Sequence, residues 1–472
     1  MQKWWFFGRR SQGWMVLVLL LATLLRLPTL GGNSIWLDEA HLVWQGEKSL
    51  TAIWLTDPDM GHPPLYYALF HFWLALGQAE WLVRLPSALC SILGVALVWQ
   101  VGRKLGGEKV GVAAAALLAV APLDVWYAQE GRMYAAVLTA SLALAFFLAD
   151  WSTSDSLPSP LSSLLFGLVL ATGLYLDFPM IVMWGGLSGL WLGWWWHGGR
   201  GRTPLRAWLI GSLSGWGLFL PGLWYVQKLT QALNSMVPLP ASLATPLWLL
   251  LILGLPLAIS TSTVILLWPY VLATKAGQRH AGGRGTQFRL LLAAAFVTVV
   301  VGNLLLLWPR LYLVKRLTMI LWPYLLLLVG WGLVYYRQKR LLAGLGLFSL
   351  VITVIMLATI PKDDWRSVVV YVNDAAAPGD VIWLSSGGDG LPYNYYQPRY
   401  PAYVGSFAEL QNAAAHTSSV WLIAGVGAGN PLFQPWLEDQ AQTITITSFY
   451  RLSVIHYQLR HATPTAKPDE DL

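Results

Sequence analysis

Charge is scarce in this sequence. Lys, Arg, Asp and Glu make up 11% of its 472 residues, against roughly 25% in an ordinary soluble domain. A soluble fold of this length needs a charged surface around a core that stops growing with size, so the shortage excludes a soluble globular class. Cysteine is nearly missing as well. Cys90 is the single one and lies in an apolar run, so no disulfide forms within the chain and no thiolate metal cluster is possible. The net charge is +7, but the basic residues sit in short loops between apolar runs, which does not read as a nucleic-acid-binding surface. No small-x-small cleavage pattern promptly follows the first apolar run. That run therefore reads as a retained helix rather than a signal peptide.

What is present is apolar and aromatic. Hydrophobic residues reach 56%, and there are 28 Trp, many at the ends of apolar runs: Trp36, Trp81, Trp126, Trp308 and Trp322. Amphipathic rings settle at that depth of a bilayer. A helix needs about 20 apolar residues to cross the hydrocarbon. Runs at 14–30, 82–101, 110–126, 133–149, 161–176, 179–196, 207–225, 246–272, 290–308, 317–335 and 341–360 meet or approach that length, which predicts about eleven transmembrane helices. The runs are continuous and do not alternate, so helices are preferred over barrel strands.

Placing the N-terminus in the cytoplasm puts Lys3, Arg9, Arg10, Arg103, Lys104, Lys109, Arg200, Arg202, Arg206, Lys275, Arg279, Arg284, Arg289, Arg337, Lys339 and Arg340 inside. Only Lys48, Arg132, Lys228, Arg310, Lys315 and Arg316 fall in the opposite loops. This satisfies the positive-inside rule, and an odd number of spans then sends everything after Ile360 outside. The acids run the other way: Asp38, Glu39, Glu47, Asp57, Asp59, Glu80, Asp124, Glu130 and Asp177 all fall on the outer side. Acids contribute little to topology, so their clustering points to an outward-facing polar site.

The tail changes character. Segments 364–373 and 406–416 read as helices, and 381–385, 420–426, 443–449 and 452–459 as strands, the last two as a hairpin. The expected organisation is a mainly α membrane domain over 1–360, a small extracytoplasmic α/β domain over 361–462, and a disordered tail over 463–472 (TPTAKPDEDL).

Three outer clusters carry polar chemistry. Asp38 and Glu39 follow the first span almost directly, and His62-Pro63-Pro64-Leu65-Tyr66-Tyr67 opens a short aromatic helix. Carboxylates just outside a membrane can receive a lipid-borne substrate, or simply line a solvated loop. The second loop places Glu130, Arg132 and Tyr134 at a helix mouth. There, Arg132 either holds a phosphate by paired hydrogen bonds or snorkels to the interface. Arg310, Lys315 and Arg316 form the third cluster, where cations run against the topology rule; an anionic lipid phosphate or an interfacial anchor accounts for them.

WLDEA after the first helix, HPPLYYALFHFWLALGQAEWLVRLPSALCSILGVALVW and APLDVWYAQEGRMYA together resemble the glycosyltransferase C-type superfamily. The likeness is to its bacterial integral-membrane members related to protein O-mannosyltransferases and lipid A aminoarabinose transferases. It is strong over 14–220. The resemblance implies transfer of a sugar from a polyprenyl-phosphate donor to a lipid, glycan or protein acceptor on the outer face of the cytoplasmic membrane, with inversion. It implies that Asp38 and Glu39 are the catalytic acids. It makes His62, Tyr66, Glu130, Arg132, Tyr134, Lys315 and Arg316 substrate-binding residues, with Arg132 and Arg316 first for the phosphate. Some such enzymes bind a divalent metal, for which Glu39 and His62 are the candidates. The sequence departs from relatives at Leu176-Asp177-Phe178-Pro179, where they often carry aromatic or His residues. The tail, from DDWRSVVVYVNDAAAPGDVIWL, looks like the outer domain many relatives append. A carboxylate at a membrane mouth is partly desolvated and so a better base, and a phosphate leaving group needs its negative charge stabilised. The other classes are a transporter, which would show more polar or Gly/Pro-broken helices at mid-bilayer, and a non-catalytic envelope scaffold. Arg26 is the clearest charge inside a span.

Overall fold

The computed structural model describes residues 9–57, 59, 61–153, 157–196, 202–227, 312–335, 337–425 and 432–460. The expected spans at 246–272 and 290–308, and the tail at 463–472, lie outside them. The chain divides into two compact units. The first comprises Met1–Thr29, Lys48–Gly77 and Arg84–Met356. The second comprises Leu30–Glu47, Gln78–Val83 and Leu357–Leu472. The second unit therefore contains more than the tail: it takes in the acid pair of the first outer loop.

In the first unit the helices are α1 (Arg9–Arg26), α3 (Leu65–Trp73), α4 (Glu80–Gly106, entering from the second unit), α5 (Glu108–Ala119), α6 (Pro122–Ala128), α7 (Tyr134–Thr153), α8 (Pro160–Leu176), α9 (Pro179–Trp196) and α10 (Arg202–Phe219). Tyr312–Tyr335 and Lys339–Thr359 follow. Among the described residues four helices are long and apolar enough to cross a membrane: Glu80–Gly106, Tyr134–Thr153, Thr203–Gln227 and Lys339–Thr359. A fifth span results if α5 and α6 count as one. The expectation of about eleven is thus met only in part among the described residues. Several helices at the expected places, such as Pro160–Leu176, are shorter than about 20 residues.

The run expected as one span over 110–126 is broken, with α5 and α6 meeting at 62°. Pro122 is the cause. Its ring disfavours helical Ala121, which is extended at φ −71° and ψ 120°, and it restarts a helix where a missing N–H costs nothing. Arg26 fills the break. Its guanidinium donates to Ala119 O at 2.8 Å and Leu118 O at 3.3 Å, the orphan carbonyls ending α5, and pairs with Asp124 Oδ2 at 2.6 Å. A buried intramembrane charge is thereby satisfied from every side.

The apolar core of this unit joins α1, α4, α5, α7 and Tyr312–Tyr335 through Met15, Ala22, Val98, Ala115, Leu118, Leu142 and Leu327. Helices α8 and α10 cross backbone to backbone. A Cβ on Gly211 would lie 2.8 Å from Ser163 O, and one on Gly167 2.7 Å from Gly211 O. Small residues are what permit such a crossing.

The second unit is built on a five-stranded sheet of order β2-β1-β3-β5-β4. Its strands are Val381–Leu384 (β1), Ala402–Tyr403 (β2), Ser419–Gly425 (β3), Ala441–Phe449 (β4) and Leu452–Leu459 (β5). β1 runs parallel to β2 and β3, while β5 is antiparallel to β3 and β4. Alternation divides the side chains. Ile382, Leu384, Trp421, Ile423 and Val454 pack with Trp365, Val368 and Val372. Trp383, Val420, Leu422, Ile455 and Tyr457 pack with Leu410, Phe433 and Leu437. The result is an α/β/α sandwich, with helix Trp365–Ala375 on one face and helices Phe407–Ala415 and Phe433–Gln440 on the other. Asp364 caps the first of these helices through Ser367 N, and Ser406 and Glu409 form a capping box at the second.

Candidate active site

Two polar sites stand out, one in each unit. In the second unit, α2 (Leu37–Glu47) starts right after Trp36, so Asp38 and Glu39 occupy its first turn, where the helix dipole favours carboxylates. Asp38 is half-buried. Glu39 is fully buried, and its Oε1 lies 2.8 Å from Lys362 Nζ. The same ammonium stands over the Trp36 ring, 5.8 Å from its centroid. A carboxylate holding a buried ammonium is committed to that partner, because losing its charge would strand Lys362.

The tail fixes the rest of this loop. Lys362 N donates to Asn33 Oδ1 and Arg366 N to Ser34 Oγ. The Tyr396 hydroxyl accepts from Ile35 N at 2.7 Å and donates to Glu80 Oε1 at 2.5 Å. Glu80 is in turn ion-paired with Arg366. Burial, then the Glu80 acceptor, pushes the Tyr396 hydroxyl up to about 12, so it stays a donor. Gln78 donates to Glu47 at 2.8 Å and accepts from Tyr395 at its carbonyl. Every stretch of loop in this unit is thus tied to the α/β domain by named bonds.

In the first unit, the turn between α8 and α9 presents Asp177 in extended conformation, φ −164° and ψ 146°. Pro179, two residues on, prevents α8 from continuing. Asp177 Oδ1 accepts from Phe178 N at 2.9 Å and faces His62 Nδ1 at 3.4 Å. His62 Nε2 lies 3.0 Å from Arg132 Nη2. A guanidinium only donates, so Nε2 accepts and Nδ1 carries the proton toward Asp177. All three side chains are buried. Ser87 joins the array by donating to Arg132 O at 2.8 Å and meeting Tyr66 OH at 3.1 Å. Tyr67 donates to Asp59 at 2.5 Å.

Of the residues singled out from sequence, His62, Tyr66 and Arg132 come together. Glu130 is buried nearby in sequence and accepts from the Trp126 indole at 3.0 Å. Tyr134 packs edge-on against Tyr127, with centroids 5.3 Å apart. Helix Tyr312–Tyr335 carries Lys315 and Arg316, whose side chains lie outside the described residues. Asp38 and Glu39 belong to the other unit.

The two metal candidates do not fit a divalent ion. Glu39 already holds an ammonium, and the two nitrogens of His62 face a guanidinium and a carboxylate. Among the described residues no group of three or more His, Cys, Asp or Glu side chains is placed to hold a metal. Sequence reasoning missed Lys362, Arg366, Tyr396 and Ser87. The first three lie more than 280 residues from their partners, and Ser87 reads as an ordinary small residue in a span.

A family model described as dolichyl-phosphate-mannose-protein mannosyltransferase matches residues 61–224. That stretch contains His62, Tyr66, Ser87, Arg132 and Asp177, and stops short of Asp38, Glu39 and the tail. No curated protein sequence matches the chain. Among solved structures, the oligosaccharyltransferase AglB from Archaeoglobus fulgidus, in complex with an inhibitory peptide and a dolichol-phosphate, aligns at a TM-score of 0.53 and 9% identity, over 98% of this chain and 75% of that one. ArnT from Cupriavidus metallidurans bound to undecaprenyl phosphate aligns at 0.44 and 14%, over 97% and 100%. The Saccharomyces cerevisiae protein O-mannosyltransferase Pmt1-Pmt2 complex, bound to the sugar donor, aligns at 0.38 and 17%, over 49% and 34%. The AglB likeness shows a shared fold.

Proposed function

We propose that the chain is a C-type glycosyltransferase related to the protein O-mannosyltransferases and that it transfers a sugar from a polyprenyl-phosphate donor to an acceptor hydroxyl on the outer face of the cytoplasmic membrane, inverting the anomeric centre. The observation that carries this reading is the buried Asp177–His62–Arg132 array within the matched stretch. A guanidinium held in place by an imidazole is preorganised for a phosphate, and preorganised charge is what a phosphate leaving group requires.

The chemistry is one displacement. The acceptor oxygen bonds to the anomeric carbon as the bond from that carbon to the phosphate oxygen breaks. The acceptor proton passes to a carboxylate, and polyprenyl phosphate leaves as an anion. Asp38 is the base. It stands beside a Glu39 already committed to Lys362, and adjacent helix residues point about 100° apart, so the two do not serve one atom. Arg132 carries the phosphate charge, with Lys315 and Arg316 as further cations. Glu130, Tyr66 and Tyr134 line the donor. The charge distribution of the loops supports an N-terminus in the cytoplasm and the α/β domain outside.

The test compares purified Asp38→Asn with Glu39→Gln, using undecaprenyl-phosphate sugars and an envelope extract as acceptor. Asn keeps the size and hydrogen bonding but cannot take the proton. Asp38→Asn is expected to lose about 10²–10⁴ in turnover with donor binding retained. Near-normal turnover in that variant removes Asp38 as the base.

A further inference from the structure

The donor array leaves the second oxygen of Asp177 to be explained. Asp177 is 2% exposed, and its Oδ2 is buried with no hydrogen-bond partner among the described residues. Such an atom costs the fold the desolvation of a charged group, and native structures rarely tolerate it without a reason. The carboxylate cannot turn to relieve it. Oδ1 is pinned by the Phe178 N–H at 2.9 Å and faces the proton on His62 Nδ1 at 3.4 Å. The extended backbone at Asp177 and the start of α9 two residues later fix the Cα–Cβ direction. Oδ2 is therefore an acceptor with no donor among the described residues.

We propose that Asp177 reads the transferred sugar: its Oδ2 accepts a hydrogen bond from a hydroxyl of a neutral sugar carried on the lipid phosphate. The proposal rests on the donor reading given above. Asp177 is separated from Arg132 by the width of one imidazole, so a sugar bonded directly to a phosphate at Arg132 reaches it.

The missing partner is a donor, and a sugar hydroxyl supplies one without adding charge. Asp59, the other carboxylate here, is engaged by the Tyr67 hydroxyl.

The experiment titrates full-length protein in nanodiscs with undecaprenyl phosphate and with its glucosyl, mannosyl, galactosyl and aminoarabinosyl derivatives. At least one neutral-sugar lipid is expected to bind wild type more tightly than undecaprenyl phosphate. Asp177→Asn is expected to weaken that lipid about 10- to 100-fold, the range for a hydrogen bond to a charged group, and to weaken bare undecaprenyl phosphate, which it meets only through His62 and Arg132, several-fold less. On wild type, donors lacking one ring hydroxyl at a time reproduce the loss at a single position, so the test stands even if the variant does not fold. Equal weakening of bare undecaprenyl phosphate would mean that Asp177 acts only through His62 and Arg132, and overturns the proposal. Tightest binding of the aminoarabinosyl lipid, or no gain from any neutral sugar, overturns it as well. Failure of wild type to bind any lipid phosphate removes the donor reading itself, a result distinct from the other three.

Discussion

Lys362 Nζ lies 2.8 Å from Glu39 Oε1 across 323 residues of sequence, and both side chains are buried. A buried ion pair is weak evidence for net stability, yet breaking one from a single side is costly, because the remaining charge has no water to return to. Lys362→Ala is therefore expected to destabilise the protein by about 3–5 kcal/mol, whereas Lys362→Met combined with Glu39→Leu recovers most of that loss. Thermal unfolding in detergent of wild type, Lys362→Met, Glu39→Leu and the double variant gives the cycle. Additive losses in the double variant would show that the two charges do not act as a pair.

The donor array makes a second, graded prediction. Arg132→Ala should weaken undecaprenyl phosphate binding by about 2–5 kcal/mol, the range for truncating one partner of a buried charge pair. Arg132→Lys should recover only part, since an ammonium cannot reproduce a fork held against His62 Nε2. His62→Gln keeps an acceptor for the guanidinium and should cost less than Arg132→Ala. Isothermal titration with the bare lipid phosphate ranks the variants. A His62→Gln loss equal to that of Arg132→Ala would place His62 on the ligand itself.

The α/β domain should respond to pH through two carboxylates. Burial, then the charge of nearby Asp363, pushes Asp389 up to about 6 from its ordinary 3.8. Burial also raises Asp363, against the pull of Arg451. A carboxyl that binds its proton more tightly in the folded state stabilises the fold while protonated, below its ordinary range, and that contribution is lost as pH rises through about 6. Protection of β1 and β3 amides, corrected for intrinsic exchange, should fall over this interval. Asp389→Asn should flatten the profile. An unchanged slope in that variant assigns the response to another group.

Much of the architecture was legible from the sequence because it depends on local pattern. The strand at 452–459 coincides with β5, and 381–385 and 420–426 with β1 and β3 to within one residue. Alternation sets strands, and Asp364 and Ser406 announce their helices as caps. Short elements escaped: β2 has two residues and helix Gly390–Tyr395 six, too few to show a period. The break between α5 and α6 escaped because apolar residues continue straight through Pro122, and hydropathy does not register a change of direction. At the site, His62 and Arg132 were visible as residue types in outer loops. Asp177 was visible as one of the outer acids and as a departure from the relatives, but its link to His62 spans 115 residues. Lys362 had no signal at all. A lone lysine after a last span looks like an interfacial anchor until its partner is known.

The division of the chain has a consequence in time. The segment Leu30–Glu47, with its acid pair, is made early, but the part of its unit that holds it begins only at Leu357. Chains grow at roughly 5–20 residues per second, so the intervening 310 or so residues impose a delay of about 15–60 s before Lys362 can reach Glu39. Throughout that interval a nascent molecule has its acids but lacks the clamp that sets them. A product truncated anywhere before the tail stays in that state permanently. The acid pair is thus set only after the segment from Leu357 onward has been made.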